Sequence, residues 1–192
     1  MGLYSNIIIN AKMKQLNTVG KLSNWMDKNM KYAFVTVDKK ISEDFDRMYP
    51  DYRLQSPIES FISKVGVCWD QAIFEKYMFN NIIRKKCKMY YIIQHDREYE
   101  PTHTFIIYED KNKKYYFENS FEKIRGVYEV NKLEDTFNFI IDKMREMKKD
   151  NNTEVFEVNK SIESYTNNFT EKTDILSFMS FCESCKLVYK RH

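Results

Sequence analysis

The chain has 192 residues, enough for one sizeable core and short for two. Hydrophobic residues at 43% and charged residues at 31%, with 14 Tyr and 14 Phe against 4 Gly and 3 Pro, argue against a disordered chain. The net charge of +3 is too small and too scattered to predict a nucleic-acid or membrane partner, and no apolar run reaches the roughly 20 residues of a spanning helix. A single domain over 1–192 is therefore expected. The Ile7-Ile8-Ile9 run is too short for the core of a secretory signal, so the default location is cytoplasmic. In that setting Cys68, Cys87, Cys182 and Cys185 read as free thiols rather than two disulfides.

Residues 1–20 mix apolar and basic side chains without clear punctuation. Leu22, Trp25, Met26 and Met30 then recur at helical spacing, with Ser23 as a candidate N-cap, and predict a helix over 22–31. Tyr32 to Val37 reads as a short strand, and Asp38 to Tyr52 as a charged, aromatic loop placed to shape the rim of a cleft. Ser56-Pro57-Ile58-Glu59 is a strong helix start, with Ser56 as N-cap, Pro57 at the first position and Glu59 completing a capping box, and Gly66 ends that helix. From Cys68, the residues Ala72, Ile73, Tyr77 and Met78 continue at helical spacing to about residue 80. Lys88–Gln94, Thr102–Tyr108 and Tyr115–Ser120 are rich in strand formers and separated by charged turns, the pattern of an antiparallel meander. Leu133–Met147 returns to helical periodicity, with Glu134 and Asp135 at its start and Lys148-Lys149 at its end. Glu154–Val158 reads as a last strand and Asp174–Cys185 as a terminal helix. The fold class is thus α+β, with residues 150–192 as a C-terminal extension without an assigned role.

The stretch Gly66-Val67-Cys68-Trp69-Asp70-Gln71-Ala72 carries the most chemistry, because it sets a thiol where a loop turns into a helix. Unpartnered backbone N–H groups and the positive end of the helix dipole favour the thiolate there. Acyl transfer by a cysteine also needs a histidine to hold the thiolate and protonate the leaving group, and a third residue to orient the imidazole. His103, one of three histidines, sits on a predicted strand within Pro101-Thr102-His103-Thr104-Phe105. On that strand His103, Phe105 and Ile107 share one face. Hairpin parity then selects the third residue: an even loop puts Glu118 on the His103 face, an odd loop puts Asn119 there. Glu118 is favoured and Asn119 is the alternative.

These stretches, in the order Gly-x-Cys-Trp-Asp-Gln-Ala, Pro-Thr-His-Thr-Phe and Tyr-Tyr-Phe-Glu-Asn-Ser-Phe, resemble the transglutaminase-like superfamily of papain-like cysteine enzymes. Together with Tyr52-Arg53-Leu54-Gln55-Ser56-Pro57, they are similar to a group of small, mostly uncharacterised bacterial and phage proteins within it, over roughly residues 22–147. The resemblance implies a cysteine-bearing helix packed on an antiparallel sheet, with Cys68 as nucleophile and His103 as general base and acid. The superfamily acid is usually Asp, often followed by Pro; this chain has Glu118 and no following Pro. The resemblance also implies an oxyanion site near the cysteine, with the Cys68 backbone N–H as one donor and Gln55 or Trp25 as candidates for the second.

A cysteine-dependent hydrolase or acyltransferase follows as the expectation, acting through a thioester at Cys68 on the amide or related acyl bond of a peptide, protein or small molecule. The alternative is an inactive transglutaminase-like module that binds or regulates. Trp69 is expected to pack beneath the site and Asp70 to charge the helix start, while Gln71 faces either the cleft or the sheet. Cys182-x-x-Cys185 lacks a second ligand pair at diagnostic spacing, so no metal and no cofactor is expected. Oligomeric state is not legible in the sequence.

Overall fold

The computed structural model describes residues 3–95, 100–145, 152–158 and 175–192. Its centre is a six-stranded antiparallel sheet in the order β6-β5-β4-β3-β7-β8. The meander supplies β3 (Cys87–His95), β4 (Thr102–Asp110) and β5 (Lys113–Glu118), and β6 (Gly126–Val130) adds its outer edge. The β4–β5 turn is the two-residue loop Lys111-Asn112, between the paired Asp110 and Lys113. Both turn residues have positive φ, 48° and 67°, which matches the right-handed twist of the flanking strands.

Residues after 150 supply β7 (Asn152–Val158) and β8 (Lys186–Arg191). β7 pairs along β3 from Met89 opposite Val158 to His95 opposite Asn152, so this part of the chain builds the sheet rather than trailing from it. β6 and β8 are not predicted by pattern, because each is a short outer strand with mixed polarity and exposure.

Helices cover both faces. On one face, α2 (Val19–Asn29), α5 (Cys68–Tyr77) and α7 (Ile175–Glu183) pack with Met89, Tyr91, Ile93, Ile106, Tyr108 and Phe117. On the other, α6 (Leu133–Arg145) buries Phe137, Ile140, Ile141 and Met144 against Tyr90, Ile92, Phe105, Ile107 and Tyr116. The Lys148-Lys149 end expected for α6, and Asp174 at the expected start of α7, lie outside the described residues.

The N-terminal region differs from its pattern in two ways. α1 (Leu3–Lys14) is a helix that the unpunctuated first 20 residues do not announce. α2 begins earlier than its apolar repeat, because Thr18 rather than Ser23 caps it by accepting the Lys21 N–H. The strand predicted over 32–37 shortens to β1 (Phe34–Val35), paired with β2 (Ile41–Ser42). A single 3₁₀ turn at Phe45–Arg47 and α3 (Met48–Asp51) follow within the expected rim loop.

The approach to α5 is tightly determined. α4 (Pro57–Ser63) has the full capping box between Ser56 and Glu59, and it ends on Lys64 in the left-handed region rather than running to Gly66. Lys31 N–H donates to Lys64 O and Gly66 N–H to Lys31 O, tying the end of α2 to the loop before α5. A Cβ at Gly66 would stand 2.8 Å from the Asp70 Cβ. Asp70 is held by three hydrogen bonds and cannot yield, so Gly66→Ala is expected to destabilise the fold by about 1–3 kcal/mol. A urea midpoint equal to wild type would contradict this.

Among the described residues no helix is long and apolar enough to cross a membrane. The four cysteines are free.

Candidate active site

Cys68 is the first residue of α5, which continues through a π-helical turn to Ile83. The first backbone bond of the helix runs from Gln71 N–H to Val67 O, so the N–H groups of Cys68 and Trp69 have no helical acceptor. Asp70 anchors this start. Its Oδ2 accepts the Val67 N–H at 3.1 Å, and its Oδ1 accepts the Tyr52 hydroxyl and the Gln55 N–H, both at 2.9 Å. Asp70 thereby links the segment leading into α4 to the residue that precedes the thiol. Burial pushes its carboxyl up to about 7 despite these three donors.

His103 and Glu118 meet across the β4–β5 hairpin. The even turn puts both on one face, and the diagonal pairing brings His103 Nε2 within 2.7 Å of Glu118 Oε2. That leaves Nδ1 as the ring nitrogen available to the Cys68 thiol, which interacts electrostatically with the imidazole. The Glu118 carboxylate is saturated with donors. Oε2 also accepts the Tyr116 hydroxyl, while Oε1 accepts Ser120 Oγ at 2.9 Å and the Phe121 N–H at 2.8 Å. Phe105 stacks on the imidazole at 5.8 Å, and Phe121 meets it edge-on at 5.7 Å.

The electrostatics favour an imidazolium. Burial opposes the charged ring, yet the Glu118 carboxylate, its hydrogen bond to the ring and the neighbouring Cys68 raise His103 to about 10. Burial likewise works against the Glu118 anion, but His103, Tyr116 and the Phe121 N–H hold its carboxyl below the usual range. Glu75, two helical turns after Cys68, goes the other way: burial and the nearby Glu118 charge push its carboxyl well up, against the opposing pull of His103. Glu118 is then the carboxylate that carries the negative charge beside the imidazole.

Cys68 and His103 both line a cavity of about 670 Å³, with Trp69 beside the thiol and Thr102, Ser120 and Phe121 near the histidine. The lining also includes Phe45, Asp46, Met48 and Tyr49 from the loop before Tyr52, with Tyr32 and Met144 of α6. No family model matches the chain, and no curated protein matches it in sequence.

The other predicted residues fall elsewhere. Asn119 Nδ2 donates to Gln71 Oε1 at 2.7 Å instead of approaching His103, and Gln71 Nε2 donates to Gly66 O at 2.8 Å. Gln71 thus faces the sheet rather than the cleft and braces the cysteine loop against β5. Gln55 and Trp25, named as candidate oxyanion donors, do not line the cavity. The Gln55 amide donates to Val65 O and accepts from Ser63 Oγ, and Trp25 stacks on Phe61 at 4.7 Å. Trp69 lies edge-on to Tyr52 at 5.8 Å and to Phe178 of α7 at 6.1 Å.

Three residues of the surroundings are given no role by the sequence: Tyr52, Tyr116 and Glu75. Strand alternation places Tyr116 two residues before Glu118 on the same face, and helical periodicity places Glu75 near the line of Cys68, so periodicity was their available signal. Tyr52 reaches Asp70 only through the tertiary fold. Cys87 and Cys182 are buried away from the cavity, and burial pushes both thiols up. The Cys185 thiol hydrogen-bonds the Phe181 carbonyl at 3.3 Å.

Proposed function

We propose that the chain is a cysteine-dependent acyl-transfer enzyme with a transglutaminase-like core, acting on an amide or related acyl bond. The observation that carries this reading is the Cys68–His103–Glu118 chain of interactions opening onto one cavity. The Cys68 thiolate attacks the acyl carbon, and the His103 imidazolium gives its proton to the leaving group as the carbon–nitrogen bond breaks. Backbone N–H groups at the start of α5 supply donors for the oxyanion of the tetrahedral intermediate. His103, now neutral, takes a proton from water or from an amine as that nucleophile resolves the thioester, giving hydrolysis or transfer. Glu118 keeps the imidazole oriented and favours its charged form throughout.

Iodoacetamide is expected to label Cys68 ahead of Cys87, Cys182 and Cys185, and His103→Ala to slow that labelling at pH 7 by about tenfold or more, the lower end of the effect of removing a positioned acid–base partner. Peptide mass spectrometry after timed labelling reads both. Equal labelling of the four cysteines at ordinary thiol rates would overturn the reading. One observation favours a second reading: Cys68 is only 5% exposed, as in a module that keeps the fold and binds without reacting. That module predicts a Cys68 slower than the half-buried Cys185.

A further inference from the structure

We propose that this cavity selects substrates with a cationic side chain, an ammonium or guanidinium, next to the acyl group under attack, and that Asp46 with Tyr32, Phe45 and Tyr49 receives it. The inference rests on the reading of Cys68 as nucleophile and adds a substrate class to it. Apart from Cys68 and His103, Asp46 is the one charged group among the described residues of the lining, which hold no Lys or Arg. Asp46 has no ion pair or hydrogen bond among the described residues, while the neighbouring cations are engaged: Arg47 pairs with Asp51 at 3.3 Å and Lys31 with Glu43. Among the described residues, the cavity therefore offers a carboxylate without a counter-charge.

The rings beside it suit the same ligand. Tyr32 and Phe45 have centroids 5.6 Å apart, and Phe45 is held in place by Phe34 of β1 at 6.0 Å. Tyr32, Phe45 and Tyr49 stay 46%, 41% and 37% exposed, a concentration of aromatic surface at the mouth of the cavity. Aromatic faces attract cations, and a carboxylate at their edge adds direct charge attraction. A long basic side chain also lays its apolar stem along such a surface. Among the described lining residues, an anionic group would find no counter-charge beyond the His103 imidazolium at the reacting end. A neutral apolar group would use the rings and leave Asp46 idle.

Three alkyl methanethiosulfonates with one reactive head and tails of different charge test this on the full chain: 2-(trimethylammonium)ethyl, methyl and 2-sulfonatoethyl. The Cys68 thiolate attacks the sulfenyl sulfur, forms a mixed disulfide and expels methanesulfinate. Each Cys68 rate, resolved by peptide mass spectrometry, is divided by the rate of the same reagent with 2-mercaptoethanol. The normalised cationic-to-anionic ratio is expected to exceed one in wild type. It should fall about threefold in Asp46→Asn and about tenfold in Asp46→Lys, the size expected of a single solvated charge near the reacting atom. Asp46 is exposed, so both variants should keep the wild-type denaturation midpoint. A ratio unchanged in both variants, with Cys68 still labelled ahead of the other cysteines, overturns this inference and leaves the nucleophile reading standing. A wild-type Cys68 no faster than the other cysteines with any of the three reagents overturns both.

Discussion

Glu118→Ala is expected to remove about 3–5 kcal/mol of stability and to slow Cys68 alkylation at pH 7 at least as much as loss of His103 does. Its carboxylate, itself buried, accepts from His103, Tyr116, Ser120 and the Phe121 N–H. Removing it strands those donors and leaves a buried imidazolium without its counter-charge. Glu118→Gln keeps the shape and removes the charge, so His103 should drop from about 10 toward its ordinary value near 6.5. The pH signature separates charge from packing. His103 is raised by folding, so its stabilisation is complete below pH 6.5 and is lost as pH rises through about 10. Glu118 is lowered by folding, so its stabilisation holds above its ordinary value of 4.5 and is lost on acidification. Wild type should therefore lose stability between about pH 6.5 and 10, and Glu118→Gln should lose much less over that window. Urea midpoints across the window, with the His103 ring titration followed by NMR, read both effects. A wild-type His103 that titrates near 6.5 would refute the assigned ion pair.

Asp70→Ala should destabilise the chain by about 3 kcal/mol or more and lower Cys68 reactivity although Asp70 does not touch the cavity. The substitution leaves the Tyr52 hydroxyl and the Gln55 and Val67 N–H groups without their acceptor in the core, at about 1–3 kcal/mol for each group left unsatisfied. Asp70→Asn should be milder, since its Oδ1 still serves Tyr52 and Gln55 while its amide N–H₂ faces the Val67 N–H. Here the pH dependence has the opposite sign to the usual carboxylate. Folding raises Asp70 from 3.8 to about 7, so the native state binds the proton more tightly. Its contribution to stability declines from about pH 4 to about pH 7 and then levels off. Asp70→Asn should abolish that decline, which a denaturation series over the same range would detect. An Asp70→Ala protein as stable as wild type would remove Asp70 as the anchor of the cysteine loop.

The parts of this fold that can be read from the sequence are those whose causes are local. The Ser56–Glu59 box, Pro57 and the apolar repeat after Cys68 each involve neighbours within a turn or two, and they locate α4 and α5 to within a few residues. The three strand runs of the meander are legible for the same reason. The length of the β4–β5 turn is not, because Lys111 and Asn112 adopt positive φ without the glycine that marks such turns, and this leaves Glu118 and Asn119 open until the register is seen. The partners of Asp70 and Gln71 are likewise hidden, since Tyr52, Gln55 and Asn119 reach them through the tertiary fold. α1 escapes because its first turn carries no acidic residue and its apolar residues do not form a clean stripe. β8 escapes because only β7 makes it a strand.

The position of β7 beside β3 has a consequence for how the protein comes into being. Every residue of the proposed triad has been synthesised by Glu118, yet β3 lies inside the sheet and lacks its second neighbour until Asn152–Val158 emerges. Until then one side of β3 exposes a row of backbone N–H and C=O groups, a ready template for pairing with another chain. Contacts as distant as Met89 with Val158 also slow the closing step of folding. On the ribosome, then, the nascent chain would carry the proposed nucleophile well before it could hold it in the folded geometry, and emergence of β7 and β8 would set the moment at which that geometry forms.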